Sequence, residues 1–422
     1  MRDGIEALLR WRAFPRVFQW LLAAVVAVLL LLALRTVRHA ELNPGAAIVW
    51  QLWWPILPFL ILLTARLWCA VCPFPLLSDA AHLVHRGRQA PYPSPRLRRA
   101  GPWLAAALLA LLGLAFLLFS LESNATLTAL LLIAFALAAM AGGLLWRGRA
   151  FCRYFCPLGM MAGFYSRLAW LRLGPRSAEE RKAAAASAHR CPLFTSPLSP
   201  RQAQDCTLCA TCLQEPGGEA VSVRLGAPSL SGPALSSAEA VAVTLLLGLL
   251  LADALRMTPL YLQYIVRALP LFGGSYQASL AVGIVGVTGA LVAGQVAAAL
   301  YLGRRGEFWA SFARLSLVWL PLVLATHLAL SAQHLLAADT VFQNLAAELT
   351  LVSPGHMPPT DAYSFLWSMK GIQWALLLVG GVVALQLARR SPEGSSKAYL
   401  AATVVPALLL LAIFREPMSV AC

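Results

Sequence analysis

Long apolar stretches alternate with short polar ones along most of the chain. Nine apolar stretches lie at about 17–36, 48–67, 102–120, 125–146, 237–257, 278–301, 311–337, 363–388 and 398–414. Each is close to or beyond the roughly 20 residues that a helix needs to cross a bilayer. Backbone groups in lipid must satisfy their own hydrogen bonds, so these stretches are predicted to be helices. The pattern predicts an all-α polytopic membrane protein with about nine transmembrane helices.

Composition and charge support the membrane class. Of the 422 residues, 59% are hydrophobic and 12% are charged, whereas about a quarter of residues are charged in soluble domains. With the N-terminus inside, 26 Lys and Arg residues fall in inside segments and 5 in outside segments. This asymmetry predicts a multi-pass protein of the bacterial cytoplasmic (inner) membrane with its N-terminus in the cytoplasm. Membrane topology therefore explains the net charge of +15, and no nucleic-acid partner is expected.

The largest inside segment, at about 170–236, contains three cysteines at steps of three residues, Cys206, Cys209 and Cys212. Ferredoxin-type loops use such spacing to direct thiolates at a 4Fe-4S cluster, which needs four sulfur ligands. The usual fourth cysteine, just before a proline, is missing here. A zinc site and a chance cysteine cluster are the alternatives.

Two further cysteine pairs form an internal repeat. The second apolar stretch leads into Cys69, Cys72 and Pro73, and the fourth leads into Cys152, Cys156 and Pro157. In both copies an arginine stands three residues before the first cysteine and an aromatic residue just before it. Two half-sites at the same membrane depth would supply four ligands for a second iron–sulfur centre. Structural thiols, or redox-active pairs without a metal, are the alternatives.

At these residues the chain resembles the NapH/NosR-type polytopic membrane 4Fe-4S ferredoxins, whose transmembrane hairpins end in Cys-x3-Cys-Pro and which carry a cytoplasmic ferredoxin-like loop. The match covers roughly 50–230; Cys152 to Pro157 fits the motif, and Cys69 to Pro73 is one residue shorter. Against this pattern, Cys191 is the candidate for the missing fourth ligand, because it lies fifteen residues upstream of Cys206 and precedes a proline. A cluster held by three cysteines is the alternative. The resemblance implies electron transfer involving quinol, or support of metalloenzyme maturation.

These predictions divide the chain into three parts. Residues 1–169 form two transmembrane hairpins with Cys-Pro motifs, 170–236 form a small ferredoxin-like iron–sulfur insert in the cytoplasm, and 237–422 form a five-helix transmembrane region. Residues 338–362, with no Lys or Arg and two adjacent prolines, are predicted to be an outside loop with a short helix.

Ionisable residues within the later spans are candidates for a second kind of site, because charges in lipid are rare and functional by default. Four residues are predicted to line a quinone or proton site, namely His327, His334, Asp253 and Lys370. The alternative is that they are a satisfied ion pair, a snorkelling lysine and interfacial histidines.

The sequence thus favours an integral membrane iron–sulfur electron-transfer protein, a component of a redox chain rather than a stand-alone catalyst. One 4Fe-4S cluster is expected, and a second centre is a candidate. The expected partners are membrane lipid, a quinone and a redox protein or complex. Two other hypotheses remain: a redox-dependent maturation or regulatory factor for a metalloenzyme, and a zinc-binding membrane scaffold.

Overall fold

The computed structural model describes residues 2–34, 43–85, 90–175, 191–194, 205–214, 221–226, 234–303, 307–350, 362–391 and 396–418. The side chains of 44, 175, 336–350 and 362–368 lie outside this description. Much of the predicted insert falls outside it as well, and so does Cys422.

Nine helices within the described residues are long and apolar enough to cross a membrane, which confirms the prediction of nine apolar helices. They are Arg16–Leu34, Gly45–Thr64, Pro95–Phe119, Ala125–Leu145, Ser237–Arg256, Tyr276–Leu302, Phe308–Leu335, Met369–Arg389 and Ser396–Arg415. The shorter helices are Arg2–Arg10, Leu67–Val71, Phe74–Ala81, Ala150–Tyr154, Pro157–Tyr165, Thr211–Gln214 and Pro259–Ala268.

The helix that contains the seventh span is longer than predicted. It runs from Phe308 to Thr350 and so continues well into the predicted outside loop. The extra residues are rich in Ala and Leu, which are strong helix formers. Prolines and the absence of basic charge indicated a loop, but the two prolines at 358–359 stand beyond the end of this helix.

The chain packs as two compact units, each built from separate segments. Unit 1 comprises Met1–Leu31, Phe59–Leu109 and Ala129–Pro233, and unit 2 comprises Leu32–Pro58, Ala110–Thr128 and Ala234–Cys422. These bounds follow packing and cross those of the three predicted parts, so the three-part division by function stays a prediction.

Unit 1 contains a two-stranded antiparallel sheet around the cysteine loop. Strand Leu171–Pro175 pairs with Val221–Leu225, with Leu173 opposite Val223. The buried hydrophobic side chains of this sheet share one apolar core with the loop and the N-terminal segment; this core includes Leu9, Phe14, Ala70, Leu171, Leu208, Ala210, Leu213, Val221 and Val223.

The helix Phe308–Thr350 forms the centre of unit 2, and 94% of its most apolar window is buried. Ser316, a polar side chain that it carries into the core, is paired with neighbouring helices. Gln295 donates to Ser316 at 2.7 Å and accepts from Thr244 at 2.6 Å. A buried polar group without a partner would cost about 1–3 kcal/mol, so these contacts fix the register of the three helices.

Candidate metal centres

Each cysteine pair follows a sharp break in the backbone. Thr64 ends the second long helix, and the next residue, Ala65, adopts a left-handed conformation with φ of 55°. At the equivalent point of the second copy stands Gly148, with φ of 70°. A one-turn helix then carries the first cysteine in each copy, at Leu67–Val71 and at Ala150–Tyr154. The repeat therefore extends to backbone geometry and includes a position that the sequence comparison missed.

The second cysteine of each copy stands at the start of a new helix. Pro73 and Pro157 cannot continue the preceding helical hydrogen bonds, and helices Phe74–Ala81 and Pro157–Tyr165 begin there. The backbone N–H of Gly159 donates to the Cys156 sulfur at 3.3 Å. Free N–H groups and the positive end of the helix dipole both favour a thiolate at this position.

The structure brings the two pairs together into one group, named here the hairpin group: Cys69, Cys72, Cys152 and Cys156. Burial and the neighbouring Cys69 together raise the pKa of the Cys156 thiol to about 11. Burial also raises the pKa of Cys72 well above its ordinary value, with Cys152 acting in the same direction. Because each thiol opposes ionisation of the others, four thiolates here need a positively charged centre among them.

Two buried arginines stand at this group. Arg66 is 4% exposed and interacts electrostatically with Cys69. Arg149 is 6% exposed and forms an ion pair with Asp79 at 3.0 Å. Each precedes the first cysteine of its copy by three residues, as the sequence indicated. Arginine is permanently charged, so both positions supply positive charge beside the thiols.

The cysteine loop, Cys206 to Cys212, turns through two left-handed residues. Leu208 has φ of 58° and Ala210 has φ of 63°. Alternation of left-handed residues points successive N–H groups into one concavity, a form that binds anions and iron–sulfur centres. The Leu208 N–H donates to the Cys206 sulfur at 3.4 Å. The loop therefore has the backbone form that thiolate ligation needs.

Cys191 joins the three loop cysteines to form a second group, named here the loop group. Burial raises the pKa of Cys206, and the thiols that raise it further are Cys209, Cys212 and Cys191. The Pro192 carbonyl accepts a hydrogen bond from the Arg149 N–H at 2.8 Å. Cys191 is thus held against the second hairpin and near the loop, as its predicted role requires. The ligand role itself stays a prediction.

The residues around both groups fit a bound iron–sulfur centre. Arg66 Nε and Thr207 Oγ1 are buried without a hydrogen-bond partner among the described residues. At Gly159 a Cβ would approach the Cys152 carbonyl to 2.8 Å, so only glycine leaves this space open beside the hairpin group. Within the described ranges, no three His, Cys, Asp or Glu side chains converge as a single metal ion would require. A cluster with several irons spaces its thiolates more widely than one ion does.

The residues predicted for a quinone or proton site lie in unit 2, and the structure joins only some of them. His334 is buried and interacts electrostatically with Asp253. His327 contacts Trp54 instead, with ring centroids 5.8 Å apart. Lys370 donates to the backbone carbonyls of Phe414 and Glu416, at the end of the last helix.

Glu122 is a member of this polar cluster that the sequence did not indicate. Arg256 pairs with Glu122 at 2.9 Å and with Asp253 at 3.2 Å. The second contact joins residues at i, i+3 spacing on one helix. No sequence signal pointed to Glu122, which stands in the turn between two apolar stretches. Burial raises the pKa of Glu122, although Arg256 opposes this.

An apolar cavity of about 470 Å³ lies beside this cluster within unit 2. Its polar lining groups include Arg256 and Tyr261, and the hydroxyl of Tyr261 pairs with that of Tyr276 at 2.8 Å. Most other lining residues are aliphatic, among them Leu117, Leu255, Leu260, Leu280, Ile284 and Val287. Pockets of this size and polarity hold small apolar ligands with a few polar groups.

Apolar helices of spanning length, combined with grouped buried cysteines, are typical of polytopic membrane proteins with a thiolate-bound metal centre. A family model described as a 4Fe-4S binding domain matches residues 46–91 and 128–175. No curated protein and no solved structure matches the chain. The matched segments cover less than half of the sequence and support an iron–sulfur protein of ferredoxin type.

The position of the match gives the hairpin group support as an iron–sulfur site that the loop group does not receive. The matched segments span both Cys-Pro motifs, so they contain the whole hairpin group and none of the loop group. The sequence analysis expected one cluster, first of all in the loop, with a second centre as a candidate. The match supports an iron–sulfur cluster at the hairpins, and the two matched segments are compatible with more than one site. The narrower NapH/NosR-type resemblance stays a prediction.

Proposed function

We propose that the chain is an integral membrane iron–sulfur electron-transfer protein with two centres. One centre is held by the hairpin group and the other by the loop group. The observation that carries the proposal is that two sets of four cysteines lie in the same compact unit, with Arg66 and Arg149 beside them. Arg149 interacts with Cys152 of the hairpin group and with Cys209 of the loop group.

The residues of unit 1 perform three tasks in this function. The thiols bind the irons, backbone N–H groups at helix starts and in the loop stabilise the sulfurs, and the arginines offset negative charge. The apolar core that includes Leu208 and Ala210 keeps water from the loop group. An iron–sulfur centre, when bound, takes up and releases single electrons.

The proposed electron partner in the membrane is a quinone. The cavity in unit 2 supports this, because its aliphatic lining suits an isoprenoid chain and Arg256 offers a hydrogen bond to a quinone carbonyl. Asp253 and His334 belong to the same polar cluster, whereas Lys370 is engaged by carbonyls of the last helix. A redox protein or complex is the proposed partner for the other end of the transfer.

The proposed location is the bacterial inner membrane, with the N-terminus and both cysteine groups on the cytoplasmic side. The nine apolar helices are compatible with a multi-pass membrane protein. The distribution of 26 inside and 5 outside basic residues supports the orientation. A maturation or regulatory role would use the same centres without a quinol donor.

The proposal is tested by measuring iron, acid-labile sulfide and zinc per purified chain. We expect about eight irons in the wild type, for roughly four irons per cluster. Cys156→Ala and Cys191→Ala should each lose about four irons, each by removing a ligand from a different group. Cys422→Ala, a cysteine with no assigned role, serves as the control and should keep all iron.

Each result has a distinct meaning. Iron content unaffected by Cys156→Ala would refute the hairpin centre. A colourless wild type that contains zinc but no iron would refute electron transfer and favour the scaffold hypothesis. Full iron content without reduction by quinol analogues would refute the quinone partner and favour maturation or regulation.

A further inference from the structure

Arg66, like Arg149, interacts with the hairpin group and with the segment that carries the loop group. Its guanidinium interacts electrostatically with Cys69 and Cys156 of the hairpin group. On another side, Nη1 donates to the backbone carbonyl of Asp205 at 3.2 Å. Asp205 directly precedes Cys206, the first cysteine of the loop group. One buried side chain therefore connects the hairpin group to the residue that precedes the first loop ligand.

The equivalent arginine of the second copy is arranged differently. Arg149 makes a two-point contact with Asp79, with Nε to Oδ1 at 3.4 Å and Nη2 to Oδ2 at 3.0 Å. A carboxylate therefore balances the charge of Arg149. Arg66 donates instead to the backbone carbonyl of Asp205, whose carboxylate pairs with Arg153 at 2.7 Å. The repeat has diverged at this point, and the charged groups that act on Arg66 are Cys69, Asp205 and Cys156.

The surroundings of Arg66 also leave room for a group that accepts hydrogen bonds. Its Nε atom is buried and has no hydrogen-bond partner among the described residues. A Cβ at Gly159 would lie 3.4 Å from Nη2, so the absence of a side chain there lets the guanidinium lie close to the helix that begins at Cys156. A buried donor without a partner is destabilising. A cluster sulfur or thiolate on the hairpin group would accept this hydrogen bond.

We infer that Arg66 is a positioning residue shared by both centres, an inference that rests on the proposed function. Its charge raises the reduction potential of the hairpin centre, because reduction adds one negative charge that a nearby buried cation stabilises. Its hydrogen bond to the Asp205 carbonyl fixes the backbone from which Cys206 reaches the loop centre. The two effects are separable, since the first depends on charge and the second on the planar fork of the guanidinium.

The test is a redox titration of the full-length purified protein followed by electron paramagnetic resonance, with dithionite and mediators. Arg66→Met has similar length, no charge and no donors, so it should lower the midpoint potential of the hairpin centre and broaden the signal of the loop centre. Arg66→Lys keeps the charge but not the fork, so it should leave the hairpin potential near the wild type and still broaden the loop signal.

Arg16→Gln is the matched control for loss of one positive charge. Arg16 pairs with Asp79 at 3.0 Å, its side chain is 50% exposed, and Arg149 still covers Asp79 after the change. Solvent screens such a charge, so both potentials should stay at wild-type values. Iron and sulfide content is measured in every variant.

The outcomes separate this inference from the proposed function. A wild type without iron–sulfur signals refutes both. Wild-type signals with unchanged potentials and line shapes in Arg66→Met refute the inference alone, as does a potential shift equal to that of Arg16→Gln. If Arg66→Met does not assemble its clusters, Arg66→Lys is the deciding variant. A lowered hairpin potential in Arg66→Lys would contradict the role of charge, and an unchanged loop signal would contradict the positioning role.

Discussion

Gly148→Ala should weaken the attachment of the loop group to the second hairpin. Gly148 has φ of 70°, and a Cβ there would lie 2.6 Å from the Pro192 carbonyl and 2.9 Å from Cζ of Phe194. The left-handed conformation costs a non-glycine residue about 1–2 kcal/mol. Moving the carbonyl also removes its hydrogen bond from the Arg149 N–H, which is worth about 0.5–1.5 kcal/mol. Alanine restricts the unfolded chain and returns about 0.4–1 kcal/mol.

The net loss is therefore about 2 kcal/mol, or roughly 4–8 °C in the apparent melting temperature by the scaling for domains of 150–250 residues. Because Pro192 adjoins Cys191, the variant should also lose about four irons, those of the loop centre, and keep the hairpin signal. Thermal melting in detergent and iron analysis measure the two effects. Ala65→Gly is the matched control at the equivalent position, where it relieves a strained φ of 55° and should change stability by less than about 1 kcal/mol. A Gly148→Ala protein with wild-type melting and full iron would refute this account of the break.

Two further predictions concern one residue in each unit, Gln214 in unit 1 and Glu122 in unit 2. The side chain of Gln214 donates through Nε2 to the carbonyls of Leu9 and Trp11 at 2.9 Å and of Phe14 at 3.0 Å. Gln214→Ala removes these contacts, so limited proteolysis should cut the N-terminal segment faster. An unchanged cleavage rate would contradict this anchoring role. In the folded chain the pKa of Glu122 is raised mainly by burial, so the unfolded state loses this proton first and stability falls as pH rises from the ordinary value of 4.5 through the folded pKa. Glu122→Gln should flatten that part of the melting-temperature profile, and an equal slope in both proteins would show that Glu122 is not the titrating group.

The helices and the cysteine motifs could be predicted from sequence because their signals are local. A run of some 20 apolar residues has one structural solution in lipid. Likewise, Cys-Pro at the end of such a run fixes where the helix must stop. The arginine three residues before each pair was visible by direct comparison of the two copies. The left-handed conformation of Gly148 could not be predicted from the repeat. The equivalent position carries Ala65, a residue that does not usually mark a left-handed turn.

The contacts between distant segments could not be predicted in the same way. Glu122 meets Arg256 across 134 positions of sequence, and Arg66 meets Asp205 across 139. Neither pair follows a helical period or a motif spacing. The continuation of the helix Phe308–Thr350 past its apolar part was missed for a related reason. Hydropathy reports where a span ends, whereas helix propensity decides where the helix ends.

The position of Cys191 argues that the two cysteine groups are not independent modules. A ferredoxin-type loop that carried its own fourth cysteine could assemble without the hairpins. Here the carbonyl of Pro192, next to Cys191, accepts a hydrogen bond from the N–H of Arg149. Arg149 directly precedes the one-turn helix of the second hairpin. Arg66 ties the first hairpin to the other end of the loop through Asp205. Each hairpin therefore fixes one part of the loop group. Substitutions at the hairpin ends should disturb the loop centre as well, whereas substitution of Cys191 alone should leave the hairpin centre intact.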